Sequence, residues 1–178
     1  MARRLTAARR YAEAAFQLGK EENTLDRWER DLTRLQAALE QPELAALMVH
    51  PAVPYASKER VLRRVVGDVS DEALRLVLLM IRRGHARSID RMVEQFRALV
   101  RRDRGIELAE IRSALPLDDE QRAAIVERLV EVTGKRVEIN EVVDESLIGG
   151  VTVRIGDVLY DASVRTRLER LRARLTAI

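Results

Sequence analysis

Val151-Thr152-Val153-Arg154-Ile155-Gly156-Asp157-Val158-Leu159-Tyr160-Asp161-Ala162-Ser163 is the stretch on which the fold turns. Val151, Val153 and Ile155 alternate with Thr152 and Arg154, the period of a half-buried strand. Gly156-Asp157 suits a two-residue hairpin turn, because glycine reaches positive φ without a steric penalty. Val158, Leu159 and Tyr160 read as the return strand. Asp161 and Ser163 offer side-chain oxygens as N-caps. The helix that follows is predicted to carry Val164, Leu168, Leu171 and Leu175 on one stripe.

Working back from the hairpin, Ile106 to Ile111 reads as a strand, and Leu115-Pro116 demands extended backbone. Asp118 and Gln121 have the spacing of a capping box. The helix they open carries Ile125, Val126, Leu129 and Val130 and closes at Gly134. Val137, Ile139 and Val142 suggest another strand. Gly149-Gly150 precedes a strand rather than leading from one into a helix, so a backbone bend is preferred to a phosphate loop.

Before Gly105 the pattern is helical throughout. Thr6 can cap a helix to about Lys20 with Ala8, Tyr11, Ala12, Ala15 and Leu18 on its apolar side. Asn23 or Thr24 starts a second, along Leu25, Trp28, Leu32, Leu35 and Leu39. Pro42 opens a short third. Pro51 and Pro54 break the chain, and Ser57 caps a fourth through Val66. Ser70 caps a fifth, with Asp71 and Glu72 where the helix dipole favours them, and Gly84 ends it. A sixth runs from about Ser88 to Arg104, and Gly105 is a natural stop. The predicted fold is therefore α+β and mostly α. A six-helix bundle over 1–105 precedes a small C-terminal α/β domain over 106–178, with a β-hairpin and a terminal helix. A tight hinge is expected near Gly105.

The chain has 178 residues and no cysteine. That excludes disulfides, thiolate metal sites and a cysteine nucleophile, and it fits a reducing compartment. Aromatic residues are only 3%, so the cores must be aliphatic. No apolar region of a signal peptide follows the first arginines. The longest apolar run, Leu76 to Ile81, falls far short of the ~20 residues a membrane span needs.

Charge is unevenly placed. Residues 1–105 hold 21 basic and 15 acidic side chains, 106–163 hold 6 and 13, and 164–178 hold 5 and 1. Solvated faces on separate elements would explain this, and so would a charged partner for the C-terminal half. The last helix is basic through Arg165, Arg167, Arg170, Arg172 and Arg174. Nucleic-acid binding is thus an alternative reading, although stacking aromatics are absent there.

His50 and His85 stand in unrelated segments, neither with a metal-ligand or catalytic companion at useful spacing. No acid–base pair and no nucleophile is evident, so an enzyme is not expected, and no cofactor or metal. The fifth helix is the local anomaly. Leu76-Val77-Leu78-Leu79-Met80-Ile81 passes through about 1.7 turns and is apolar on every side. It is either a central core helix or one wall of a groove. In the groove reading Leu74, Val77, Leu78 and Ile81 face inward, while Leu76, Leu79, Met80 and Arg83 meet a bound helix. Tyr11, Ala14, Ala15 and Leu18 of the first helix would form the other wall.

The order Gly149-Gly150, Arg154, Gly156-Asp157, Asp161-x-Ser163 and Leu168-Glu169-Arg170-Leu171 resembles the C-terminal signature of the delta-subunit family of F-type ATP synthase. The mitochondrial counterpart is the oligomycin sensitivity-conferring protein. Arg10-Tyr11-Ala12-Glu13-Ala14-Ala15-Phe16 adds a match near the N-terminus. The resemblance implies a stator subunit without a cofactor. Its N-terminal domain would bind the N-terminal segment of an alpha subunit of the catalytic head through the first and fifth helices, which favours the groove. Its C-terminal domain would hold the membrane-anchored b subunits, with Arg154, Arg165, Arg167, Arg170 and Arg174 as candidate contacts. It further implies one copy per complex, at the cytoplasmic face of a bacterial membrane, which it would touch only through the complex.

Overall fold

Fully buried Leu32 and Leu35, with Trp28 beside them, anchor the first half of the chain. The computed structural model describes the backbone of residues 2–176 and the side chains of 7–169, 172 and 173. Among these residues the fold is α+β and mostly helical, with eight α-helices and a four-stranded mixed sheet. The chain divides into two compact units, 1–100 and 101–178.

The first unit holds α1 (Ala2–Glu21), α2 (Leu25–Leu39), α3 (Pro42–Val49), α4 (Tyr55–Val66), α5 (Asp71–Arg82) and most of α6 (Ile89–Asp103). Its core joins Ala8, Ala12 and Ala15 of α1 to Trp28, Leu32 and Leu35 of α2, Leu74, Val77 and Leu78 of α5, and Met92 and Phe96 of α6. Several helix starts differ from the sequence reading. α1 begins at Ala2, ahead of Thr6, because the intervening residues are good helix formers. α4 begins after Pro54 rather than at Ser57, since the Pro54 carbonyl already accepts from the Ser57 and Lys58 N–H groups. A 3-10 turn at Ala86–Ser88 precedes α6. Ser70 occupies the N-cap of α5 as expected, yet its hydroxyl makes no cap bond. The cap is tied instead from outside: the Ser70 N–H donates to the buried Asp31 carboxylate of α2 at 2.9 Å.

In the second unit the strands are β1 (Ile106–Ser113), β2 (Arg136–Val143), β3 (Val151–Ile155) and β4 (Val158–Asp161), in the order β2-β1-β3-β4. α7 (Asp119–Thr133) joins β1 to β2, which run parallel; the other pairs are antiparallel. The capping box forms as predicted, with Asp118 accepting from the Gln121 N–H at 2.7 Å. α7 covers one sheet face, where Ala109, Ile111, Val153 and Ile155 meet Leu129. Val142 does not share the core side of β2 with Val137 and Ile139. Alternation puts Glu141 there instead.

The hairpin forms with Ile155 opposite Val158 and Gly156 at φ +56°. β4 leads into α8 (Val164–Thr176). The Asp161 carboxylate accepts from the Ser163 N–H and the Thr166 hydroxyl, fastening the helix start. Gly150, at φ +81°, lets that start approach: a Cβ there would lie 2.6 Å from the Ala162 carbonyl oxygen. Of the predicted α8 stripe, Val164 is half-buried and Leu168 is exposed, while the side chains of Leu171 and Leu175 lie outside the described residues.

Candidate functional site

Helix α1 packs on α5, and the two helices present matching spacings. On α1 the buried stripe is Ala8, Ala12 and Ala15. Tyr11, Ala14 and Leu18, spaced i, i+3 and i+7, form the adjacent stripe: Tyr11 is half-buried and the other two are exposed. On α5 the buried stripe is Ala73, Val77 and Met80. Leu76 and Leu79 are half-buried and Arg83, just past the helix, is exposed, again at i, i+3 and i+7.

Two of the predicted groove residues therefore move to the core. Ala15 and Met80 are both 0% exposed. Met80 lies one helix step, about 100°, from Leu79 and three residues after Val77, which carries it to the inner stripe. The inward assignment of Leu74, Val77, Leu78 and Ile81 agrees with their burial. The remaining surface stripes are Tyr11, Ala14, Leu18 and Leu76, Leu79, Arg83.

His85 belongs beside this surface, although sequence reading gave it no part in it. Its N–H donates to the Met80 carbonyl at 2.8 Å, closing α5. Its ring lies 6.1 Å from that of Tyr11. The signal was local: the residue after a helix-ending glycine is pinned to the last turn.

In the second unit the basic candidates do not form one patch. Arg154 lies on the sheet face away from α7, opposite Glu110 on β1 and Leu159 on β4. Arg165 and Arg167 are exposed on α8. The Arg170 and Arg174 side chains lie outside the described residues. Arg112 on the same face as Arg154 pairs with Glu110 at 2.8 Å.

The second unit also exposes much apolar surface that its charge pattern concealed. Val158 and Tyr160 of β4 stand on the α7 side of the sheet, exposed at its edge. Val130 and Val132 on α7 and Leu168 on α8 are exposed as well. Leu115, 75% exposed, and Ile148, 68% exposed, flank a cavity of about 850 Å³ that Ile125 and Gly150 also line. Among the described residues the buried Ser113 hydroxyl at its wall finds no hydrogen-bond partner. Among the described residues no group of His, Cys, Asp and Glu could hold a metal ion, and no helix is long and apolar enough to cross a membrane.

Residues 7–175 match the family described as ATP synthase delta (OSCP) subunit. The chain belongs to the ATP synthase delta (OSCP) subunit family. It is 37% identical over 172 residues to the ATP synthase subunit delta of Methylobacillus flagellatus, covering 96% of this chain and 97% of that protein. It is 36% identical over 170 residues to the subunit delta of Desulforamulus reducens, covering 94% of each. Its fold is similar to that of a chain in the cryo-EM structure of the Toxoplasma gondii mitochondrial ATP synthase hexamer. There the TM-score is 0.66 at 28% identity, over 96% of this chain and 98% of that one. A delta (OSCP) subunit is a non-catalytic component of the peripheral stalk of F-type ATP synthase, and this family accounts for the chain without nucleic-acid binding.

Proposed function

We propose that this delta (OSCP) subunit caps the catalytic head through α1 and α5 and holds the b subunits through its second unit. The N-terminal six-helix bundle, over 1–105, takes the N-terminal helix of an alpha subunit between the stripes Tyr11, Ala14, Leu18 and Leu76, Leu79, Arg83. One observation carries this reading: on two packed helices, half-buried Tyr11, Leu76 and Leu79 and exposed Ala14 and Leu18 fall at helical spacing on stripes beside the buried ones. An amphipathic helix laid along both stripes would bury them, and Ala14 is small enough to let its backbone approach.

The C-terminal domain, over 106–178, grips the b subunits. Val158, Tyr160, Val130 and Leu168 supply apolar area, exposed Arg154, Arg165 and Arg167 add positive charge, and Arg170 and Arg174 are further candidates on the same helix as Arg165 and Arg167. One copy per complex then links head to membrane anchor and resists the torque of the rotor. The subunit works at the cytoplasmic face of a bacterial membrane and reaches the membrane only through its partners.

Calorimetric titration of the full chain with a synthetic alpha-subunit N-terminal peptide tests the head contact. Wild type should bind, and Leu76→Ser/Leu79→Ser should lose at least about tenfold in affinity with its helical spectrum kept. Equal binding by both chains would move the head contact elsewhere.

A further inference from the structure

We propose that the hollow between α3, α4 and the end of α5 is a second docking site in the first unit. It takes a peptide segment that presents a carboxylate beside an apolar side chain. The hollow measures about 620 Å³; the buried core side chains Met48, Leu78 and Ile81 close its floor, and Val49, Val53 and Tyr55 supply its accessible apolar wall. Its charged lining is wholly cationic: Lys58, Arg82 and Arg87, with no acidic side chain among the lining residues.

These cations differ from their neighbours. On the same helix α4, Arg63 is held by Asp71 at 2.7 Å and Glu59 at 3.6 Å. None of the ion pairs among the described residues involves Lys58, Arg82 or Arg87. The Arg82 guanidinium carbon lies 5.8 Å from the centroid of the Tyr55 ring, which positions the charge without neutralising it. Helix α4 also opens at this hollow, at Tyr55, and has no acidic residue in its first turn. The positive end of its dipole therefore adds to the field of the three side chains.

Three like charges around one hollow repel until an anion arrives. The apolar wall selects which anion. A bare phosphate would leave Val49 and Val53 uncovered, whereas an acidic residue next to an apolar one satisfies both walls. Leu78 and Ile81 at the floor of the hollow lie on a different face of α5 from Leu76 and Leu79. It is therefore independent of the alpha-subunit groove.

The test places photoreactive benzoylphenylalanine at Val49 in the subunit assembled into its ATP synthase complex. After irradiation, the linked segment is sequenced by mass spectrometry. The expected result is one segment of another subunit with Asp or Glu within about three residues of the link, given the reach of neighbouring side chains. Lys58→Glu/Arg87→Glu should cut the yield on the order of fivefold, through loss of two charge contacts and added repulsion. If that variant fails to assemble, Lys58→Gln/Arg87→Gln should still lower the yield about twofold. No adduct, a lipid or nucleotide adduct, a segment without acidic residues, or a yield insensitive to the Gln variant overturns the proposal.

Discussion

The backbone N–H of Leu117 donates to the Glu141 carboxylate at 2.7 Å, tying the approach to α7 to the edge strand β2. Arg122, one turn into α7, holds the other Glu141 oxygen at 3.1 Å. The Leu117 N–H first, and the Arg122 guanidinium after it, hold the Glu141 carboxyl below the ordinary carboxylate range.

A carboxyl depressed in the folded state stabilises the fold above its unfolded pKa. That contribution is lost as pH falls through the lower, folded value. Hydrogen-exchange protection of β2 in the full chain should therefore weaken progressively below about pH 4.5. Glu141→Gln should lower protection at neutral pH and flatten the acid response. Superimposable acid profiles for the two chains would deny Glu141 this role.

The approach of α8 to the residues before β3 sets a second test. A Cβ at Gly150 meets the Ala162 carbonyl oxygen at 2.6 Å, whereas one at Gly156 meets nothing within 4 Å. Both positions have positive φ, so both substitutions strain the backbone. Gly150→Ala should cost about 2–4 kcal/mol and Gly156→Ala about 1 kcal/mol. Thermal melts of the two variants should keep that order. A Gly156 variant as damaged as the Gly150 variant would contradict the close approach.

The hairpin and the Asp118 capping box were legible because each is a local pattern: a period of two around Gly156, and two side chains three residues apart. The inner face of α5 was legible for the same reason. Periodicity does not say which helix lies alongside, so the sequence places Ala15 and Met80 at the groove, whereas each sits on the inner stripe of its helix. The Asp31 contact to the Ser70 N–H joins residues 39 apart in sequence, and nothing local announces it. Glu141 was hidden by its neighbour: Val142 is the apolar residue, but the parity of the strand turns the carboxylate inward. At the candidate site, the sequence shows residue type but not exposure, so it marks Val158 and Tyr160 only as strand residues.

The contrast between Leu79 and Met80 separates groove from core. Met80→Asp would bury an uncompensated carboxylate and should unfold the first unit or cost several kcal/mol. Leu79→Asp, at a half-buried position, should leave Trp28 fluorescence and the helical spectrum close to wild type while abolishing binding of the alpha-subunit peptide. Unfolding by both substitutions would place Leu79 in the core and remove it from the groove.

Charge at the second unit should act on rate more than on affinity. Residues 106–163 are strongly acidic and 164–178 basic, and Arg154, Arg165 and Arg167 are exposed. Exposed pairs contribute about 0–1 kcal/mol each, so the apolar surface around Val158, Tyr160 and Leu168 should supply most of the affinity. Rim charges mainly steer encounter, and salt screens them over about 10 Å at 0.1 M. Association with the soluble part of the b subunits should therefore slow severalfold between about 0.05 and 0.5 M salt, while dissociation changes little. Tyr160→Ser should have the opposite signature, a faster dissociation with association nearly unchanged. Surface-plasmon measurements of both rates at two ionic strengths separate the contributions. An association rate indifferent to salt would make these arginines a solvated face, and a Tyr160 variant with wild-type dissociation would move the apolar contact away from β4.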